Sequence, residues 1–434
     1  MVSSVQTGEA LFSRNPDAPL RPASTQKLFT TALAFERLGV HHQFTTEVLH
    51  DGTVGADGTL RGSLVLRGGG DPSLSSRFYG SMPEAPARAL AKLVAAAGIR
   101  RVSGDVIGDA SAFDDKGIPD GWLARYLHDS YAARVSALSL NGNLLHVAVA
   151  PGKAGGRAIV TLRPALSGIA VINTTTTRAN SRIARIVVSR RADGTVVASG
   201  SLGARAGIRV YTVVVEHPAD FTTRAFHQAL ENEGITIEGK PRLGTPAQPG
   251  TRLGALTSPP LYQLASHMNG ESDNHFAELI FRNASRGDRG TTPGSAALAN
   301  RQLRDLLSEY AGVPPNAVSA ADGSGLSSWD RATPRSLAQL LSFAHRAPWA
   351  NEFHLSLPIA GQSETLRRRM IGTAAQGNLH AKTGTTSDVV SLAGYVTSRS
   401  GELLSFSFLY NGRERSPARE TIDAMGATLA GWTR

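Results

Sequence analysis

The sequence has no cysteine, which excludes disulfides, thiol nucleophiles and cysteine-ligated zinc together. Lysine is scarce as well: only Lys27, Lys92, Lys116, Lys153, Lys240 and Lys382 occur, so arginine carries most of the formal charge of +10. The arginines read as scattered and not as basic tracts interleaved with aromatics. That argues against a nucleic-acid groove and leaves general solvation or attraction to a polyanion such as a cell-wall polymer. No apolar run reaches transmembrane length. No signal peptide is visible ahead of the first strand pattern, which fits either a trimmed exported protein or an intracellular one. Metal-ligand spacings such as H-E-x-x-H are missing, so His267, His275 and His380 read as packing residues, and no metal or cofactor is expected. There is no internal repeat. At 434 residues the chain is long for one core, which favours two or three domains.

Where arginine is the default cation, a retained lysine invites a reason, because only lysine gives up its proton readily. Lys27 lies in Pro22-Ala23-Ser24-Thr25-Gln26-Lys27-Leu28-Phe29. Pro22 suits the turn into a helix, Leu28, Ala32, Phe35 and Leu38 recur at helical spacing, and Gly39 offers a stop. Residues three apart share a helix face, so Ser24 and Lys27 can touch. A serine hydroxyl becomes a nucleophile when a neighbouring base takes its proton, and an amine serves only when unprotonated, as burial or a second cation favours. Taken alone, such a pair is usually part of a solvated helix face, and it is the company of other motifs that changes the reading.

Along the chain, residues 2–12 read as a strand hairpin, and 44–50 and 63–67 as strands. Gly68-Gly69-Gly70-Asp71-Pro72 reads as a sharp, domain-crossing turn, since it lacks the Lys-Ser/Thr of a phosphate loop. A helix is expected over 84–98 and a strand over 101–107. Trp122 and Tyr126 are packing anchors in the irregular stretch 113–140. From 144 to 216 the pattern is a series of short β-branched strands, implying a largely antiparallel β domain. A helix over 218–234 and a linker over 244–250 follow. The chain is then mainly helical to about 347 and ends in strands over 379–383, 389–397 and 403–410 and a helix over 417–432. Three antiparallel strands joined to the N-terminal hairpin would give an α/β (α+β) layer domain assembled from both chain ends, with the middle as an insertion.

Two further motifs follow in order: Ser272-Asp273-Asn274 between two predicted helices, and Lys382-Thr383-Gly384 on a predicted strand. The ordered set S-x-x-K, S-D-N, K-T-G is shared by penicillin-binding proteins and class A β-lactamases. The chain resembles the class C low-molecular-mass D-alanyl-D-alanine carboxypeptidases and endopeptidases. Asp322-Gly323-Ser324-Gly325-Leu326-Ser327, Gly69-Gly70-Asp71-Pro72 and Ser136-Ala137-Leu138-Ser139-Leu140-Asn141 are similar to stretches of that family, and a large insertion separates the first two motifs as it does there.

The resemblance implies a penicillin-binding domain from 1–43 and 246–434, an inserted mostly β domain from 44–72 and 151–245, and a further domain, 73–150, nested within it. It implies that Ser24 is the acylated nucleophile, Lys27 its base, Ser272 a proton relay and Asn274 a holder of substrate amide and Lys27. Lys382 would supply positive charge, Thr383 and Thr385 would bind the terminal carboxylate, and the backbone amides of Ser24 and Thr385 would form the oxyanion hole. Gly384 would let a peptide lie along the strand. Family members often carry arginine where this chain has Ser328, so Arg331 would be the substitute at the side-chain end of the substrate. The implied partners are peptidoglycan stem peptides ending in D-Ala-D-Ala and β-lactams as covalent inhibitors. The implied location is the periplasm or outer cell envelope, with at most peripheral attachment to membrane or wall. A β-lactamase or esterase on the same machinery, and a non-catalytic wall-binding protein, are the alternatives.

Overall fold

The computed structural model describes residues 1–433 apart from 166–168, 192, 247–249 and 288–291, so part of the predicted linker lies outside the described residues. The chain forms two units. The first comprises Met1–Gln43, Ile118–Ala124 and Pro259–Arg434, and the second comprises Phe44–Gly117 and Arg125–Ser258.

The elements of the first unit are β1 (Val2–Ser4), β2 (Ala10–Phe12), α1 (Gln26–Leu38), α2 (Leu261–Glu271), α3 (Asn274–Ala284), α4 (Ala296–Ala311), α5 (Pro334–Arg346), β3 (His380–Thr385), β4 (Val389–Thr397), β5 (Leu403–Asn411) and α6 (Arg415–Gly431). Antiparallel pairing in the order β2-β1-β5-β4-β3 joins the two chain ends in one sheet, as expected from the turn-separated strand segments at both ends. Residues Val389 to Val396 are all buried, because β4 is covered on both faces. Val390, Leu392 and Val396 cluster with Phe406, Phe408, Ile422 and Ala430, the last two from α6. Turned the other way, the Tyr395 hydroxyl donates to the Leu341 carbonyl of α5 at 2.7 Å, which satisfies a buried polar atom. The result is helix, sheet, helix. β3 is an edge of the sheet, bridged at its start by Ile359.

The second unit is richer in parallel pairing than its patterns suggest. Leu64–Gly68 runs parallel to Val106–Asp109, which runs parallel to Pro241–Leu243. Ser103-Gly104 divides the predicted strand over 101–107 into Arg101–Val102 and Val106–Asp109. Val171–Arg178 pairs in parallel with Val196–Gly203, because Ala184–Arg190 turns back as a hairpin on the far side of Val196–Gly203. Helices Ala85–Ala96 and Pro218–Asn232 contribute Leu90, Val94, Phe226 and Leu230 to the core of this unit. The Gly68-to-Pro72 turn lies wholly within this unit, with Gly68 hard against the Ala137 carbonyl.

Candidate active site

Ala23–Thr25 forms one turn of 3-10 helix that runs straight into α1. The turn is fastened to the sheet. Arg21 exchanges backbone bonds with the Asn411 side chain (2.9 and 3.1 Å) and pairs with Asp388, while Ser391 Oγ donates to the Pro22 carbonyl at 2.7 Å. Every residue from Gln26 to Phe35 is buried, so α1 is a core helix and not the solvated face that a lone Ser/Lys pair would suggest. Ser24 is half-buried and Lys27 fully buried.

Lys27 Nζ makes three bonds: to Ser24 Oγ (3.0 Å), Asn274 Oδ1 (2.7 Å) and the Ser324 carbonyl (2.8 Å). An ammonium has three donors, so the charged form is saturated. After losing a proton the amine keeps two donors for the two carbonyl-type oxygens and turns its lone pair to the Ser24 hydroxyl. Burial pushes the Lys27 pKa down to about 8 against the opposing pull of Asp322, Asp273, Glu278 and Asp330.

Asn274 and Ser272 are held by a helix junction. Ser272 ends α2 in the left-handed region, with φ of 59°, and Asp273 caps α3 by accepting from the Phe276 amide at 3.1 Å. Burial opposes ionisation of Asp273, but His267 Nε2, 3.5 Å away, helps hold its carboxyl below the usual range.

On β3, fully buried Lys382 donates to Ser272 Oγ (3.0 Å) and to the Thr383 carbonyl (2.8 Å). Burial first, and then the charge of Lys27, push Lys382 well below the ordinary lysine range. Burial rather than a second cation therefore lowers Lys27, and Lys382 bears the repulsion between the two. Thr383 is buried and Thr385 exposed at the end of the edge strand. Gly384 is required by the protein itself: a Cβ there would lie 2.2 Å from Ser391 Oγ and 2.9 Å from the Ser24 amide. The glycine lets β3 close onto the serine turn, a tighter constraint than the room for substrate expected from sequence.

The structure thus brings Ser24, Lys27, Ser272, Asn274 and Lys382 into one hydrogen-bonded chain, with Thr383, Gly384 and Thr385 on the adjoining edge. Arg331 is set apart: it is exposed, and its guanidinium donates to the carbonyls of Ser328 and Asp330. His275 is buried in α3, His267 packs on Phe276, and His380 packs on His354. Among the described residues no group of His, Asp or Glu is arranged to hold a metal.

The buried acids behind Lys27 escape a sequence reading that treats 322–327 as only a tight turn. Asp322 accepts from the amides of Ser324, Gly325 and Ser327, from Ser324 Oγ and from Trp122 Nε1. It thereby fixes the loop that presents the Ser324 carbonyl to Lys27. Asp330 accepts from the Ala321 amide (2.8 Å), and burial followed by the charge of Asp322 raises its pKa well above normal. Glu278 accepts from the Gly323 amide (3.1 Å), and burial, then Asp322, push its pKa up to about 8. The available signal was spacing, since Glu278 follows Asn274 by one helical turn.

Two substitutions probe this support. Gly325 has φ of +84°, and a Cβ there would lie 1.8 Å from the Ala23 carbonyl. Gly325→Ala is expected to cost about 3 kcal/mol from backbone strain and overpacking, read as a fall in denaturation midpoint; an unchanged midpoint would mean the two turns are not in contact. Glu278→Gln keeps an acceptor for Gly323 but cannot ionise. Because Glu278 is largely protonated at pH 7, acylation there should change by less than about threefold. Above pH 8 the variant loses the anion that would hold Lys27 charged, so its rate should level off at a lower pH than in wild type.

A family model described as the D-Ala-D-Ala carboxypeptidase 3 (S13) family matches residues 1–431. The chain is 35% identical over 445 residues to a D-alanyl-D-alanine carboxypeptidase of Actinomadura sp. (strain R39), covering 99% of this chain and 80% of that protein. It is similar to the crystal structure of penicillin binding protein 4 (dacB) from Haemophilus influenzae, with a TM-score of 0.82 and 25% identity over 98% of this chain and 95% of that one. The same Haemophilus protein complexed with a β-lactam gives a TM-score of 0.78 at 24% identity, over 99% and 95% of the two chains.

Proposed function

Since the chain belongs to the D-Ala-D-Ala carboxypeptidase 3 (S13) family, it is a serine DD-peptidase acting on peptidoglycan peptides, and we propose that it works through an acyl-enzyme on Ser24. The observation that carries this assignment is the placement of Lys27 Nζ between Ser24 Oγ, Asn274 Oδ1 and the Ser324 carbonyl. Neutral Lys27 takes the Ser24 proton as Oγ attacks the carbonyl of the penultimate D-alanine. The backbone amides of Ser24 and Thr385 receive the oxyanion. Ser272, bonded to Lys382, relays to the departing amine the proton that Lys27 took from Ser24, so that Lys27 is neutral again as the C–N bond breaks. Water then enters by the reverse sequence, releasing the shortened peptide and restoring Ser24. Thr383 and Thr385 bind the terminal carboxylate, whose negative charge would favour the charged form of nearby Lys382, and Asn274 orients the substrate amide. We give Arg331 no more than the side-chain end of the stem peptide, because its own turn already engages its guanidinium.

A β-lactam would acylate Ser24 in the same way, but its cleaved amide nitrogen stays tethered, which favours a long-lived adduct. We propose that Met1–Gln43 with Pro259–Arg434 is the catalytic unit and that the enzyme works in the cell envelope, held there at most peripherally; among the described residues no helix is long and apolar enough to cross a membrane. Incubation with muropeptides ending in D-Ala-D-Ala, with products identified by mass, tests the reading. Loss of one terminal D-alanine, or scission of a cross-link, is expected. Intact muropeptides together with rapid catalytic hydrolysis of penicillin would identify a β-lactamase instead.

A further inference from the structure

The positive charge of this protein is not spread over it. Residues 151–215, all within the second unit, contain ten arginines and lysines and one acid, Asp193. The other 369 positions, with 35 basic and 34 acidic residues, are close to neutral. The scatter of arginine along the sequence therefore conceals a basic lobe.

The register of the sheet Val171–Arg178, Val196–Gly203, Ala184–Arg190 shows how this charge is displayed. Thr176 pairs with Ser201, which pairs with Arg185, and Thr174 pairs with Ser199, which pairs with Val187, so these six side chains share one face. The opposite face carries Val196, Ala198 and Leu202 and is buried. The outward face thus carries hydroxyls and arginine around an exposed Val187. At one end of it the backbone bonds Ala204 to Arg178 and Arg205 to Ser181 draw Arg178, Arg182 and Arg205 together.

These cations are unpaired. Several exposed arginines elsewhere in the same unit meet acids, as in Arg88–Glu233, Arg101–Glu238 and Arg242–Asp105. Arg178, Arg182, Arg185 and Arg205 are exposed and have no ion pair among the described residues. Unneutralised like charges repel one another, so the lobe is arranged to be completed by an external anion. A single aromatic, Tyr211, occurs in 151–215. That leaves neither the stacking platform of a single-strand nucleic-acid binder nor the aromatic anchors of a bilayer surface. Arginine forks suit phosphate, and a row of threonine and serine hydroxyls suits a hydrated polyol.

We infer that the sheet face bearing Arg178 and Arg185, together with Arg182 and Arg205 in the turns at its end, is a docking surface for a phosphodiester-linked polyol polymer, which would hold the enzyme beside its substrate. This surface is independent of acyl transfer at Ser24, and its test separates the two. Binding of the full chain to immobilised poly(glycerol phosphate) is measured over a series of salt concentrations, with the quadruple variant Arg178→Gln, Arg182→Gln, Arg185→Gln, Arg205→Gln and with covalent penicillin labelling as the check on folding. Wild type should bind with an affinity that falls as salt rises. The variant should bind at least about tenfold more weakly at about 0.1 M salt, with a shallower salt dependence, and label with penicillin normally. Equal polymer binding by variant and wild type would overturn the proposal. So would tighter binding of wild type to vesicles of phosphatidylglycerol and phosphatidylcholine in equal parts than to the polymer, which would make the face a membrane contact.

Discussion

Ser24→Ala should abolish covalent labelling by penicillin and reduce D-alanine release by about 10^6, the order found when the nucleophile of a serine peptidase is removed. The fold should survive. Ser24 is half-buried, and its hydroxyl bonds to Lys27, whose other two partners, Asn274 Oδ1 and the Ser324 carbonyl, remain. Loss of one exposed-side hydrogen bond is worth about 1 kcal/mol, so the melting temperature should shift only slightly. Intact-mass spectrometry after penicillin treatment reads the outcome directly. An adduct of wild-type stoichiometry on the alanine variant would place the nucleophile elsewhere.

The second large effect belongs to Lys27. A positioned general base contributes about 10^2 to 10^4 in rate, so Lys27→Ala should slow acylation by about 10^3. Lys27→Arg discriminates between explanations. Arginine preserves the positive charge but does not deprotonate; if Lys27 acts as base the arginine variant is as slow as the alanine one, and a near-normal rate would show that only its charge matters. The wild-type pH profile follows from the sign of the shift. With the pKa lowered to about 8, about a tenth of Lys27 is neutral at pH 7, against roughly one part in three thousand for an unperturbed lysine. Acylation should climb close to tenfold per pH unit below this pKa and flatten above it. A profile already flat from pH 6 would argue for a different base.

Much of the site was legible without coordinates, because each motif is local and carries its own geometry. Ser24 and Lys27 sit three apart, Ser272 and Asn274 flank a helix cap, and Lys382 to Thr385 run along one strand. The terminal sheet was legible too, since its strands are short apolar segments separated by turns. Less visible was whatever depends on partners distant in sequence. Gly384 read as room for substrate, whereas its neighbours are Ser391 and the Ser24 turn. The strands between 144 and 216 were recognisable one by one, yet β periodicity specifies a face and not a direction, so the parallel pairing of Val171–Arg178 with Val196–Gly203 was hidden.

By itself, then, the sequence determined the chemistry on offer: no thiol, no metal set, one serine with one lysine a helical turn away, and two further motifs in the order of the family. Tertiary structure decided how that chemistry is tuned. Only folding buries Lys27 among Asp322, Glu278, Asp330 and Asp273, so that desolvation lowers its pKa while four acids restrain the fall. Only folding sets Lys382 on Ser272 and brings Arg178 and Arg185 onto one sheet face, with the Arg182 and Arg205 turns at its end. Hydrogen-bond motifs are written in short range along the chain, whereas burial and the summed field of charges are properties of the packed molecule.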